Sequence, residues 1–312
     1  MLKQRQIFEP PCCPNEACVN RLTPPARWFI RKGTFKIKWS KKKVQRFQCK
    51  NCKTKFSESS FKDTFGQHRP DLNSMIYRLY TSCTTMRRLA INLRCNRKTI
   101  VRKMHFLALK ARKVHAWHVF TGRLATKIVL FDEMETHERT RLLPLSIPLA
   151  VCGRTGRILD VNVAQKVASG HLAAKSRAIC GVREDTSFKM CADVLKTVKV
   201  AAGQRLSVVH TDQKPSYRTL VKGILPDAIH LAHNSKERRN QAAPDRSERH
   251  PMWWLGQACA MIRHDLSRMR RRTMVNTQAQ YGLQRHLWLY VARRNRYSRH
   301  IDDNMFFVKT RR

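Results

Sequence analysis

Two apolar segments of this chain end in an aspartate, and this pattern limits the folds that the chain can adopt. The first, KIVLFD, ends at Asp132, and the second, LSVVHTD, ends at Asp212. Short apolar runs of this kind are typical of buried strands, and their last residue lies where the strand reaches solvent. With the segments around them, the order is strand, hairpin, helix, strand, short strand, helix. We therefore expect an α/β domain in which a mixed sheet is flanked by helices.

The two aspartates are candidate metal ligands. Carboxylates brought together at neighbouring strand ends repel one another unless a divalent cation bridges them. Mg²⁺ prefers such hard oxygen ligands, and metal ions held in this way support phosphodiester cleavage. A single aspartate in such a position is also typical of a turn or a helix cap. The prediction of a metal site therefore depends on Asp132 and Asp212 occurring as a pair.

Four cysteines near the N-terminus have spacing that suits a Zn²⁺ site. Cys13 and Cys18 lie in PCCPNEAC, Cys49 and Cys52 lie in CKNC, and a basic, aromatic hairpin pattern separates the two groups. Four thiolates bind zinc tetrahedrally, and the ion supplies folding free energy that so short a segment cannot gain from apolar burial. Cys12 competes with Cys13 for the first position, and we favour Cys13. The alternative is a loop with unlinked thiols.

The segment 68–115 has a helical pattern with a break in the middle. Thr84 or Thr85 can cap a first helix, and Asn96 can cap a second. This pattern predicts a helix-turn-helix whose second helix enters the major groove of double-stranded DNA. A basic helical hairpin that contacts no bases is the alternative. The cations expected on the outer face of the second helix are Arg97, Lys98, Arg102 and Lys103.

The charge of the chain indicates a polyanionic partner. There are 63 Lys and Arg residues against 21 Asp and Glu residues, a formal net charge of +42. The hydrophobic fraction, 42%, is too high for a disordered basic tail, so we expect a folded protein. The chain lacks an apolar run long enough to span a membrane and an N-terminal signal-peptide pattern. We therefore expect a soluble, intracellular protein.

A late basic segment, IRHDLSRMRRRT, predicts a second surface for phosphate groups. Its arginines lie on a helix and at its end, opposite an apolar side. Arginine suits bidentate phosphate contacts, although a solvated basic face has the same pattern. The residues that we expect to contact DNA here are Arg263, Arg268 and Arg271.

Together, the cysteine groups, the helix-turn-helix pattern and the motifs FDEMET, HTDQKPSY and IRHDLSRMRRRT…HLWLYVARRN resemble bacterial insertion-sequence transposases of the DDE type. The resemblance covers most of the chain. It implies a ribonuclease H-like catalytic domain that uses Mg²⁺ or Mn²⁺ to cleave DNA at terminal inverted repeats and to transfer the strands to target DNA. The family's first two catalytic acids correspond to Asp132 and Asp212. The resemblance also implies a homo-oligomer in the bacterial cytoplasm, associated with the nucleoid.

This chain departs from the family's pattern at the third catalytic acid. The family places it on a helix after the second strand, but the helix here begins WWLGQACA, which contains no acid. Asp265 lies within this helix and is favoured because a rigid element suits metal geometry, although it can also pair with a neighbouring arginine. Glu248, in the polar loop before the helix, is the alternative. We also expect Glu135 to share a strand face with Asp132 and to help hold a metal.

These patterns predict four segments: a zinc ribbon at 1–62, a helix-turn-helix domain at 68–115, a catalytic domain at 124–300 and a basic tail at 301–312. The leading hypothesis is a DNA transposase. The alternative is a DNA-binding regulator whose transposase-derived domain is inactive, because the third acid is missing from WWLGQACA. A structure-selective nuclease without strand transfer shares the metal chemistry.

Overall fold

The computed structural model describes residues 8–37, 43–234, 250–270, 275–297 and 301. Glu248, Arg271 and all but the first residue of the predicted basic tail lie outside these ranges. The chain divides into an N-terminal unit that ends at Leu72 and a larger unit, Asn73–Ile301.

The N-terminal unit contains a three-stranded antiparallel sheet, built on the hairpin between the two cysteine groups. Strand β1 (Phe29–Lys36) pairs with β2 (Lys43–Cys49), which pairs with β3 (Lys55–Ser57). Aromatic rings form its small core, in which Trp28 stacks on Phe56 with ring centroids 5.6 Å apart. So small a core contributes little folding free energy.

The larger unit contains a six-stranded mixed sheet, as the strand patterns predict. Its strands are β4 (Ile128–His137), β5 (Pro144–Cys152), β6 (Ile158–Val161), β7 (Ala164–Gln165), β8 (Val208–Asp212) and β9 (Ile229–His233). The order across the sheet is β6-β5-β4-β8-β9, and β7 pairs with β5. β5 is antiparallel to β4 and β6, whereas β8 is parallel to both β4 and β9. The carboxyl ends of β4, β8 and β9 therefore meet at one edge.

Helices cover both faces of this sheet. The α-helices of the described residues are α1 (Leu72–Tyr80), α2 (Met86–Asn92), α3 (Arg97–Phe120), α4 (Ala173–Cys180), α5 (Ser187–Ala202), α6 (Pro215–Ile224), α7 (Trp253–Asp265) and α8 (Gln280–Arg294). Side chains alternate along β4. Val129 and Phe131 pack with α5 and α6, while Leu130 and Met134 pack with α7 and α8. Among the described helices, none combines the length and apolar character needed to cross a membrane.

The first three helices belong to the larger unit. Thr85 and Asn96 accept hydrogen bonds from the first turns of α2 and α3, so both act as N-caps, in agreement with the sequence pattern. Helix α3 continues to Phe120, beyond the limit of 115 expected for the helical domain. The end of α1 is attached to α8, because the ring of Tyr80 stacks on the buried imidazole of His286 with centroids 3.7 Å apart.

A glycine at the β5–β6 turn allows α7 to approach the sheet. Gly156 has φ +65°, and a Cβ atom there would lie 2.5 Å from the ring of Trp254, near the start of α7. Only glycine combines this backbone conformation with so close an approach. The turn therefore allows the start of α7 to lie close to the sheet.

Candidate functional site

The four predicted cysteines form one cluster in the N-terminal unit. The sulfurs of Cys13 and Cys52 are 3.5 Å apart, those of Cys18 and Cys49 are 3.7 Å apart, and all four lie within 4.8 Å of one another. Tetrahedral zinc with bonds of about 2.3 Å requires sulfur–sulfur distances of about 3.8 Å. The cluster therefore fits a metal ion such as zinc. It is the only group of three or more potential ligands that lie close enough to share an ion in the described part of the chain.

Local hydrogen bonds favour the thiolate form of two of these cysteines. A hydrogen bond with the Thr54 hydroxyl is the main reason that the pKa of Cys52 falls to about 6. Burial opposes ionisation of Cys49, but hydrogen bonds from the Cys52 amide and the Asn20 side chain outweigh it and lower the pKa of Cys49. Burial raises the pKa of Cys13. Because a metal ion binds thiolates, loading the cluster releases protons.

Cys12, the competitor for the first ligand position, lies outside the cluster. Its sulfur accepts a long hydrogen bond from the Arg21 guanidinium at 3.7 Å. Cys13 is fully buried with the other sulfurs, so the structure brings together the ligands that the sequence analysis favoured.

Asp132 and Asp212 occupy equivalent positions on adjacent parallel strands. The register of β4 against β8 pairs Leu130 with His210, and each aspartate follows two residues later on its own strand. Equivalent residues of neighbouring strands point to the same face of a sheet, about 4.8 Å apart at the backbone. The structure therefore brings together the two acids predicted to form a site.

Burial and mutual repulsion make ionisation of Asp132 unfavourable. Burial raises the pKa of Asp132 to about 6, and the charge of Asp212 acts in the same direction. The Glu133 amide donates to Asp132 Oδ1 at 2.7 Å, and the Tyr217 hydroxyl lies 3.3 Å from the same oxygen. Asp212 Oδ1 accepts a hydrogen bond from the Lys214 amide at 3.0 Å. The backbone and Tyr217 thus orient the carboxylates, and either a proton on Asp132 or a nearby cation relieves their repulsion.

The two glutamates that follow Asp132 have other partners. Glu133 accepts a hydrogen bond from the Cys191 thiol at 2.8 Å and forms an ion pair with Lys214. Burial opposes the charged form of Lys214, but Glu133 outweighs it and raises the pKa of Lys214. Glu135 does not share the face of Asp132 as expected, because residues three apart on a strand point to opposite faces. It forms an ion pair with Lys166.

A cavity of about 260 Å³ opens over the two aspartates. One wall is a stripe along α7 and the residue before it, with a spacing of three or four residues, and another is the end of β9. The stripe consists of Met252, Gly256, Cys259 and Arg263, and β9 contributes His233. Arg263 is the cation that α7 supplies to the cavity. The stripe contains no acid, in agreement with the absence of one from WWLGQACA.

Asp265 does not line this cavity. It lies two residues after Arg263, about 200° around the helix axis, and is therefore on the far side of α7. Its carboxylate accepts a hydrogen bond from His264 Nδ1 at 3.0 Å, and its carbonyl accepts one from the Cys83 amide at 2.7 Å. These contacts attach the end of α7 to the α1–α2 connection. Asp265 is thus separated from Asp132 and Asp212.

Two of the three predicted arginines, Arg263 and Arg268, form part of a second cavity of about 430 Å³. Arg263 contributes to the walls of both cavities, so they are neighbours. Arg268 donates to the Tyr80 hydroxyl at 2.6 Å. Arg270, from the same basic segment, also lines the second cavity, and Arg141, from the β4–β5 turn, is a cation that the sequence analysis missed.

The cations predicted on α3 divide into two groups. Arg97, Lys98 and Arg102 are exposed, as expected. Lys103 departs from the prediction: it is 5% exposed, and its Nζ donates to Asn73 Oδ1 at 3.0 Å. It lies beside the buried Met104 and one turn after the buried Ile100, on the inner side of α3. Lys103 is a structural residue in this conformation.

Sequence reasoning missed His233, which ends β9 opposite Asp212. Asp132, Asp212 and His233 thus follow one another across three adjacent parallel strands. Asp212 and His233 end β8 and β9, whereas β4 continues past Asp132 to His137. His233 Nε2 lies 2.7 Å from His210 Nδ1, and burial, followed by the charge of His233, lowers the pKa of His210. The available signal was the short strand AIHLAH, which ends in a polar residue as the two earlier strands do.

Neither the protein-family models nor the curated proteins contain a match to this chain.

Proposed function

We propose that this protein is a DNA-cleaving and strand-transferring enzyme of the DDE transposase type. The observation that carries the proposal is the placement of Asp132 and Asp212 at equivalent positions of adjacent parallel strands, in a cavity that also contains Arg263. A carboxylate pair beside an arginine suits a phosphodiester held at divalent ions. The strand order, with β8 and β9 parallel to β4 and β5 antiparallel to it, supports a ribonuclease H-like domain.

The two carboxylates fit Mg²⁺ or Mn²⁺, because both supply hard oxygen ligands and Asp132 gains a partner for its buried charge. The bound ions would supply activation of the attacking oxygen and stabilisation of the leaving oxygen. The chain's own residues prepare the site. Tyr217 and the Glu133 amide hold Asp132 in one orientation, the Lys214 amide holds Asp212, and Arg263 neutralises charge on the phosphate.

The remaining modules support DNA as the substrate. The cysteine cluster fits zinc in a ribbon with a basic β1, and α2 with α3 is the proposed helix-turn-helix, whose Arg97, Lys98 and Arg102 are exposed. Exposed cations on such elements bind the phosphate backbone and position a duplex. The +42 charge is consistent with this partner.

A second function is favoured by one observation. The stripe of α7 that lines the acid cavity contains glycine and cysteine where a third acid is expected, and Asp265 lies on the opposite side of the helix. A pair of carboxylates holds a metal more weakly than three do. The alternative is a zinc-dependent DNA-binding regulator in which the α/β domain serves assembly.

A cleavage assay separates the two functions. The purified full chain is incubated with DNA that carries the inverted repeats flanking its gene and with Mg²⁺ or Mn²⁺, and nicked and joined products are measured. We expect products from the wild type, their loss in Asp132→Ala and Asp212→Ala, and no loss in Asp193→Ala, an acid of α5 outside the acid cavity. The Asp265→Asn variant tests whether Asp265 acts as the third catalytic acid. Cleavage that survives both strand-end substitutions would contradict the proposal, whereas specific binding without any cleavage supports the regulator.

A further inference from the structure

The cleft on the other side of Asp212 is also basic. It has a volume of about 660 Å³ and is formed by α6, the end of β8 and the start of β9. Asp212 contributes to its wall and to the wall of the acid cavity, so the two share one boundary residue. Its cationic side chains are Lys214, Arg218 and Lys222, and His230 lies beside them.

Two of the three cations in this cleft have no acidic partner among the described residues. Lys214 is engaged by Glu133. Arg218 and Lys222 are exposed one helical turn apart, and neither forms an ion pair with an acid of the described ranges. Like charges at this spacing on a helix repel one another. An anion that binds both side chains relieves this repulsion, and arginine supplies a geometry that matches phosphate.

The amino end of α6, which borders the cleft, also carries positive charge. Helix α6 begins at Pro215, and no side chain caps its first turn. Its amino end therefore carries the partial positive charge of the helix dipole on the side where Lys214 and Asp212 lie. The helix end alone would not define a site, but here it adds to Arg218, which lies within the first turns of α6 and lacks an acidic partner among the described residues.

The acid pair consequently lies between two basic cavities. Arg263 connects it to the arginine cavity on the α7 side, and Asp212 connects it to the cleft on the α6 side. We propose that Arg218 and Lys222 form a phosphate subsite for a nucleic-acid strand that crosses the acid pair and continues to Arg263. This rests on the proposed function only in assigning the acid pair as the reaction centre. The substrate is then an internal phosphodiester with backbone phosphates on both sides, and not a terminal phosphate or a mononucleotide.

Photo-crosslinking locates the strand without requiring cleavage. Gln213, an exposed residue of the cleft, is replaced by a benzophenone amino acid in the full chain, which is irradiated with labelled single-stranded DNA or with RNA of the same sequence. We expect a crosslink that is reduced several-fold by Arg218→Ala with Lys222→Ala. The matched control, Lys189→Ala with Lys199→Ala, removes two exposed lysines of α5 and should leave the crosslink unchanged.

A second measurement does not depend on the crosslinker. In the Arg218→Ala, Lys222→Ala variant, the slope of log affinity for DNA against log salt should fall by about 2, one for each lost phosphate contact. A crosslink insensitive to the double substitution, or a slope equal to that of the control, would overturn the subsite. The crosslink should persist in Asp132→Asn. If cleavage is never observed but the crosslink and the slope behave as expected, the proposed function fails and the phosphate subsite stands.

Discussion

The hydroxyl of Tyr217 lies 3.3 Å from Oδ1 of Asp132, and the Tyr217 ring packs edge-on against Phe131, the residue before it. Helix α6 thus supports the middle of β4 from the face opposite α7. This hydrogen bond favours the charged carboxylate, against a burial that disfavours it. Tyr217→Phe should therefore raise the pKa of Asp132 further above about 6, by up to about one unit for a single hydrogen bond.

The measurement is the pH dependence of Mg²⁺ binding by calorimetry. Its midpoint should move to higher pH in Tyr217→Phe, because Asp132 must lose its proton to bind the ion. Tyr281→Phe, which alters an exposed tyrosine of α8, is the control and should not move it. An unchanged or lower midpoint in Tyr217→Phe would show that the phenol does not stabilise the carboxylate.

The buried acid pair should reduce stability when no divalent ion is bound. The pKa of Asp132 is raised from 3.8 to about 6 in the folded protein, so the folded state holds this proton more tightly than the unfolded state. The contribution of Asp132 to stability is consequently lost as the pH rises from about 4 to about 6, and the ionised group is unfavourable above that range. Asp132→Asn should be more stable than wild type at neutral pH, by on the order of 2 kcal/mol.

Urea unfolding at several pH values, in the presence of a chelator, tests this linkage. The stability difference between Asp132→Asn and wild type should be largest above pH 6 and should disappear near pH 4. Added Mg²⁺ should stabilise the wild type and reduce the difference, because the ion binds only the folded site. A difference that is constant across the pH range would be incompatible with a raised pKa at Asp132.

Neighbouring residues of α3 should have opposite roles. Lys103 is buried with its Nζ on Asn73, so Lys103→Ala should destabilise the larger unit by about 1–3 kcal/mol through a lost hydrogen bond and a cavity. Arg102 is exposed, so Arg102→Ala should change stability by less than about 0.5 kcal/mol. The effects of the two substitutions on DNA binding should be in the opposite order. Arg102→Ala should reduce the slope of log affinity for DNA against log salt by about 1, because one phosphate contact is lost.

Denaturant unfolding and DNA titrations of the two variants, prepared in parallel, provide the comparison. If Lys103→Ala were as stable as wild type yet bound DNA poorly, Lys103 would be a DNA contact, as the periodicity predicts, and the buried conformation would not be the one that binds.

The two acids could be paired from the sequence, although one of the two strand ends was placed wrongly. An apolar run that stops at an acid predicts a strand end, which is right for Asp212 at the end of β8 and wrong for Asp132, because β4 continues to His137. The pairing holds because β4 and β8 are adjacent parallel strands in register. The cysteine cluster was predictable because four thiols in two close pairs are typical of a metal site.

The features that escaped prediction depend on helix phase and on contacts between distant segments. Asp265 lies on a helix of the expected kind, but the core contacts of Leu255, Ala258 and Ile262 set the rotation of α7 and turn Asp265 away from the acids. Lys103 is buried and bonds Asn73 of α1, a contact that basic periodicity alone does not reveal. Tyr217 joins the site through its packing on Phe131, and His233 joins it through the order of the strands, which the end of AIHLAH alone does not give.

Removal of metal should unfold the N-terminal unit and leave the α/β unit intact. The four cysteines connect the segment before β1 to the ends of β2 and the turn before β3, and the aromatic core beside them is small. Without an ion, this unit has little apolar burial to offset the conformational entropy of its chain, whereas the larger unit has buried clusters on both faces of its sheet. Hydrogen exchange after strong chelation should therefore rise in β1 to β3 and remain slow in β4 and β5.

The matched cysteine variants identify the ligands. Cys13→Ser should lose most of the single zinc ion expected for the purified chain and reproduce the exchange pattern of the chelated protein. Cys12→Ser should retain the ion, because Cys12 lies outside the four-sulfur cluster and contacts Arg21. If Cys12→Ser lost the metal and Cys13→Ser kept it, the first ligand would be Cys12. The loop before Val19 would then have to adopt a different conformation when zinc binds, because the buried Cys13 sulfur now occupies that ligand position.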